Sequence, residues 1–192
     1  MGKTELEKMI AGEFYRPGDE QLSAMRRHAR KMTRVYNETD VEESDTRQAI
    51  IKDLFGSTTE NYYIEPPFRC DYGSNIHWGD NSYANFNLLI LDIAPVTIGK
   101  NVMFAPNVTI SSATHPIIAS ERNSGLEYGK PIVIGDNVWV GAQVVINPGV
   151  TIGENTVIGA GSVVTKDIPA NVVAVGNPCR VLRPITEADK MM

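Results

Sequence analysis

Histidine and cysteine are scarce in this chain of 192 residues, which holds three of the first and two of the second. Cys70 and Cys179 lie far apart, so they form neither a disulfide framework nor a CxxC metal knuckle. A reducing, cytoplasmic setting is the simplest expectation. Long apolar runs are missing as well. No stretch of about 18 apolar residues exists to span a membrane, and "MGKTELEKMI" (1–10) lacks the apolar segment of a signal peptide. Met1-Gly2 opens like a myristoylation signal, but Leu6 stands where Ser or Thr is required. Basic residues are outnumbered, giving a net charge of −5, and no dense Lys/Arg stripe offers a nucleic-acid footprint. What remains, 42% hydrophobic and 21% charged, suits a globular protein with a substantial core.

The first 60 residues carry helical signals. Thr4 and Glu7 make a capping box for a helix through about Glu13. Beyond Arg16-Pro17-Gly18, Asp19 can cap a longer helix whose apolar positions Leu22, Met25, Ala29, Met32 and Tyr36 recur at helical spacing. A third helix is expected from Ser44 or Asp45, burying Ile50, Leu54 and Phe55 and stopping at Gly56.

From Ile64 onward the period becomes six, beginning with Ile64, Cys70 and Ile76. Four segments align: "WGDNSYANFNLLI" (78–90), "IGKNVMFAPNVTI" (98–110), "IGDNVWVGAQVVI" (134–146) and "IGENTVIGAGSVV" (152–164). Ile134, Val140, Ile146, Ile152, Ile158 and Val164 keep one register throughout. This is the pattern of a hexapeptide parallel β-helix, three hexapeptides per triangular coil of about 18 residues. Anchors point inward and stack on the next coil. Gly99, Gly135 and Gly153, with Asn101, Asn137 and Asn155, are expected at corners, where turns need positive φ or a side chain bonding nearby backbone. A sandwich of regular hairpins competes, but hairpin strands alternate at two and hold no such register. The period does not encode the hand of the coil.

Counting coils exposes an interruption. One coil beyond Ile98, the next corner is due near position 116, yet it arrives at Ile134. Residues 111–131 therefore leave the register as a polar loop rich in Ser, Asn and Gly. The loop carries His115, just past the anchor Ile110, so the imidazole is expected near the rigid wall while the loop overhangs a cleft.

Several runs together resemble the hexapeptide-repeat O-acetyltransferases of sugars, the family of maltose, galactoside and nodulation acetyltransferases: "IEPPFRCDYGSNIH" (64–77), "YANFN" (83–87), "ATHP" (113–116), "GKPIVIGDNVWVGAQVVINPGVTIG" (129–153), "VTKDIP" (164–169) and "GNPCRV" (176–181). The helical run "EKMIAGEFYRPGDEQL" (7–22) is more similar to the maltose branch. The resemblance implies a mainly β fold, a left-handed parallel β-helix over 61–183 with the loop 111–131 extruded, preceded by a helical segment (1–60) and followed by a tail (184–192). It implies acetyl transfer from acetyl-CoA, as co-substrate, to a sugar hydroxyl in a ternary complex without an acyl-enzyme, and no metal.

The resemblance also implies roles. His115 is the general base, and an imidazole suits removal of a hydroxyl proton near neutral pH. Asn85 is the active-site asparagine able to donate to the oxyanion. Asp71 and Asp92 line the sugar pocket, with Asp19 as a third carboxylate. Trp139 walls the pocket against CoA or sugar, or covers a subunit contact. Gly141, Ala142, Gly159 and Ala160 let the pantetheine arm approach, although a tight coil corner also demands small residues. Thr165, Lys166, Arg180 and Arg183 meet the nucleotide end of CoA. Glu127 either orients His115 or is simply solvated. The expected assembly is a homotrimer with clefts between subunits.

Other readings share the fold. A zinc lyase needs three convergent histidines, whereas His28 falls in a helix and His77 in a strand. A non-catalytic sugar-binding β-helix would not require the displaced loop or the basic carboxyl-terminal cluster. A hexapeptide acetyltransferase with a non-sugar acceptor keeps the chemistry and changes only the alcohol.

Overall fold

The computed structural model describes residues 2–191. Three helices come first: α1 (Glu5–Ile10), α2 (Glu20–Asn37) and α3 (Ser44–Leu54). The Thr4–Glu7 capping box forms, but α1 ends sooner than expected because Gly12 takes φ +72 directly after the Ala11 cap. Asp19 caps α2 by accepting from Leu22 N–H at 3.2 Å.

Short parallel strands then stack into three faces. The first face holds Ile76–Trp78, Val96–Ile98, Ile132–Ile134 and Thr151–Ile152. The second holds Tyr62–Ile64, Ser82–Ala84, Met103–Phe104, Trp139–Val140, Val157–Ile158 and Val172–Val175. The third holds Arg69–Cys70, Leu89–Leu91, Thr109–Ser111, Val145–Ile146 and Val163–Val164. The chain visits the faces in rotation, as a parallel β-helix must. The anchors Ile134, Val140, Ile146, Ile152, Ile158 and Val164 are all at most 1% exposed. One anchor shifts: Trp78, not Ile76, occupies the stacking position above Ile98, and both side chains are buried.

The corners work differently from the sequence expectation. The asparagines supply the positive φ, at 56°, 60° and 57° for Asn101, Asn137 and Asn155. Their side chains bond one another rather than local backbone, in a ladder from Asn81 through Asn101, Asn137 and Asn155 to Asn171 with steps of 2.8–2.9 Å. The adjacent glycines serve close approach: a Cβ on Gly135 would lie 2.7 Å from the Glu154 backbone nitrogen one coil on.

Corner lengths are not uniform. From third to first face the anchors are spaced by eight positions, Cys70 to Trp78, and by eight again, Ile90 to Ile98. The spacing is twenty-four from Ile110 to Ile134, then six from Ile146 to Ile152 and four from Val164 to Ile168. Strand Ile132–Ile134 nevertheless pairs directly with Val96–Ile98, so the excursion leaves the ladder unbroken. All the irregularity of the coil collects along this one edge.

The helices close the open end of the coil. Tyr36 donates its hydroxyl to the Ile64 carbonyl at 2.6 Å, and the Asn37 side chain exchanges two bonds with the Phe68 backbone at 2.8 and 2.9 Å. Ile50, Ile51, Leu54 and Phe55 of the α3 region complete the core over Phe68 and Trp78. At the other end the described part of the expected tail, 184–191, folds back on the coil. Strand Arg180–Pro184 pairs antiparallel with Val172–Val175, and a 3-10 turn, Glu187–Asp189, folds back so that Asp189 binds the Arg183 guanidinium at 2.9 and 2.7 Å.

Candidate active site

The long excursion is the place where chemistry-bearing residues gather. Its two arms pair antiparallel, Ala113–Thr114 against Tyr128–Gly129, and a short helix, Ala119–Arg122, lies at its tip. His115 follows the first arm and Glu127 precedes the second, so the pairing sets them side by side. His115 Nε2 lies 3.8 Å from Glu127 Oε2, with the two side chains 53% and 16% exposed. Nδ1 of His115 has no hydrogen-bond partner among the described residues. Glu127 is therefore no plain solvated carboxylate: its other oxygen accepts from the hydroxyl of Tyr15, and the Tyr15 and Glu127 backbones pair at 3.1 and 3.3 Å.

Asp71 stands on the same edge of the coil. Burial first, and then the charge of Glu127, push its carboxyl above the ordinary range, while Arg26 and Arg30 pull it back. It opens onto a groove of about 500 Å³ between α2 and the third face, lined also by Arg30, Arg34, Arg69 and Leu89. Asp92 departs from expectation. Its side chain is fully buried, with Oδ1 accepting from the Asp71 and Tyr72 N–H groups at 3.0 and 2.9 Å. It shapes the loop that carries Asp71 and presents no surface to a sugar in the single chain. Burial raises its carboxyl to about 7, against the pull of the bound backbone N–H groups. Asp19 also departs: its carboxylate is occupied as the α2 cap and borders a recess with Glu5, Arg16, Ser124 and Gly125 that does not include His115.

The remaining candidates lie elsewhere in the coil. Asn85 sits at the corner from second to third face, following strand Ser82–Ala84. Its Oδ1 accepts from Phe86 N–H at 2.7 Å, which leaves its Nδ2 without a partner among the described residues. Gly141, Ala142, Gly159 and Ala160 occupy the same corner in later coils. Coil packing alone accounts for the glycines, since a Cβ on Gly141 would lie 2.6 Å from the Ala160 nitrogen and one on Gly159 would meet Val175 at 2.6 Å. Arg180 is beside Val175 at this corner too. Thr165 and Lys166, both exposed, belong to the His115 edge, following strand Val163–Val164. Arg183 is not a free cation here, because Asp189 holds it. Trp139 is 49% exposed on the outside of the second face, in a column with Tyr63, Tyr83, Met103, Val157 and Val173.

Two edges flanking the third face thus share the candidates. His115, Glu127, Asp71, Thr165 and Lys166 stand on one; Asn85, Gly141, Ala142, Gly159, Ala160 and Arg180 stand on the other. The other histidines join neither: His28 of α2 faces Asp53 at 3.7 Å, and His77 bonds Ser57 at 2.9 Å. Among the described residues no three His, Cys, Asp or Glu side chains converge as metal ligands, and no helix is long and apolar enough to cross a membrane. Sequence reasoning passed over Tyr15 entirely; it belongs to no helix period and no hexapeptide.

Comparison with known proteins bears on the fold and the family. Residues 8–59 match the maltose acetyltransferase hexapeptide capping motif, and residues 131–166 match the bacterial transferase hexapeptide, six repeats. Galactoside O-acetyltransferase of Escherichia coli K12 is 51% identical over 184 residues, covering 96% of this chain and 91% of that protein. The crystal structure of a maltose O-acetyltransferase from Clostridium difficile 630 superposes with a TM-score of 0.95 at 54% identity, covering 97% of this chain and all of the other. A galactoside acetyltransferase in complex with coenzyme A also gives a TM-score of 0.95, at 49% identity, covering all of this chain and 96% of that one. Helical cap, six-residue coil and histidine-bearing loop together make the chain a member of the hexapeptide-repeat acetyltransferase family.

Proposed function

We propose that this protein moves the acetyl group of acetyl-CoA to a hydroxyl of a small sugar, with His115 as general base. The observation that carries the reading is the His115–Glu127 pair on an excursion that leaves an otherwise regular coil. Relatives whose structures hold coenzyme A or acetyl-CoA support the donor, and the galactoside and maltose enzymes support a sugar acceptor.

The chemistry follows from the groups available. The sugar oxygen attacks the thioester carbonyl as its proton passes to the imidazole, and Glu127 favours the imidazolium that forms. The carbonyl oxygen becomes an oxyanion, to which the free Nδ2 of Asn85 donates. Collapse breaks the carbon–sulfur bond, and the departing thiolate recovers the proton from His115. Asp71 accepts from sugar hydroxyls, while Asp92 holds the Asp71 backbone in place. Lys166 and Arg180 balance CoA phosphates; Arg183 can do so only by leaving Asp189.

Because Asn85 and His115 stand on opposite edges of one face, they meet between chains. A homotrimer with the third face turned to its axis brings the His115 edge of one subunit against the Asn85 edge of the next. Of the outward residues of that face, Leu89, Thr109, Val145 and Val163 are uncharged and half-buried, which suits such packing, and the charged, exposed Arg69 lies at the end of the column beside the helices.

The direct test is a panel of acceptors with acetyl-CoA, read by release of free thiol and by mass of the product. Sugar-dependent release with an ester product is expected. Release with amines or amino-acid hydroxyls and none with sugars would instead assign a non-sugar acceptor.

A further inference from the structure

We infer that Tyr15 is a positioning residue for the general base: its hydroxyl fixes one oxygen of Glu127 so that the other faces His115. The inference rests on the function proposed above and gives the helical segment a part in catalysis beyond closing the coil.

The geometry is specific. Tyr15 is fully buried, packed with Met9, Leu22, Tyr72 and Ile93 in a cluster separate from the core inside the coil. Its hydroxyl donates to Glu127 Oε1, and its backbone pairs in both directions with that of Glu127, at 3.1 and 3.3 Å. Phe14 and Tyr128, the neighbours of this pair, meet edge to face at 4.9 Å. The helical segment and the second arm of the excursion are therefore joined at backbone and side chain, 112 residues apart in sequence. Without the tyrosine, a glutamate on a polar loop would sample several rotamers, and only some face an imidazole. Burial and the adjacent carboxylate push the Tyr15 hydroxyl well above its ordinary range, so it keeps its proton and stays a donor. Tyr72 lies in the same cluster and accepts from Arg26 at 2.5 Å.

Tyr15→Phe in the full-length protein removes the donor and keeps the ring. It should lower kcat about tenfold, the size expected for one hydrogen bond to a charged group. KM for acetyl-CoA should be unchanged, a split between turnover and binding that a general structural loss would not give. Glu127→Gln should show the same split, and the double variant should be no slower than Glu127→Gln alone. Wild-type kcat in Tyr15→Phe, or losses that multiply in the double variant, would overturn the inference. If Tyr15→Phe folds poorly, Glu127→Gln on the intact Tyr15 background must still lose turnover with KM for acetyl-CoA unchanged; unaltered kcat there overturns it equally. His115→Ala run alongside separates the two levels. Its loss with a silent Tyr15→Phe removes only the positioning role, whereas activity surviving in His115→Ala removes the base itself.

Discussion

At the scale of single residues, the site is built from groups whose surroundings decide what each can do. His115 is half exposed with one nitrogen toward a held carboxylate, the arrangement a general base needs. His115→Ala should lower kcat by about 10²–10⁴-fold and leave acetyl-CoA affinity nearly unchanged; a variant with near-normal turnover would remove the base from the account. Asp92 is the opposite case, a carboxyl enclosed to support its neighbours. Its carboxyl titrates near 7 when folded and near 3.8 otherwise, so the folded chain holds the extra proton between these values. Stability from this group is therefore present at low pH and lost as pH rises toward 7. Asp92→Asn keeps an acceptor for the Asp71 and Tyr72 N–H groups and removes the titration. It should flatten the decline in thermal midpoint between pH 4 and pH 7, whereas a decline parallel to wild type would contradict the assignment. Histidine rarity and the local runs singled out His115 and Asn85 as candidates in the sequence. The enclosure of Asp92 and the clamp from Tyr15 were not, because each depends on which backbone passes over the side chain.

At the scale of elements, the coil was readable because a period of six with β-branched anchors leaves few alternatives. The same counting located the excursion. What counting did not supply was the behaviour of the corners, where asparagines stack into a ladder running the length of the coil. Asn137→Ala should cost about 2 kcal/mol, combining a left-handed backbone with lost ladder bonds. Asn137→Gly restores the backbone freedom and should recover roughly half of that loss. Denaturant midpoints of the two variants separate the contributions, and equal losses would mean the backbone conformation contributes nothing. The closure at the end of the chain carries no repeat; it is held by the pairing of Arg180–Pro184 with Val172–Val175, by the Ile185 N–H bond to the Asn171 carbonyl and by the Arg183–Asp189 pair.

At the scale of the whole molecule, anchor spacings of eight, eight, twenty-four, six and four positions mark one edge of the prism as the variable one. The other catalytic candidate, Asn85, stands across a full face from it. With the two groups on opposite edges, the proposed mechanism calls for a neighbouring subunit. The decisive measurement mixes two inactive proteins, His115→Ala and Asn85→Ala, under conditions that exchange subunits. Random trimers should regain about one quarter of wild-type turnover, because one cleft in four then pairs an intact histidine with an intact asparagine. Mixed assemblies no more active than their parents would place both groups in the same chain and contradict the arrangement described.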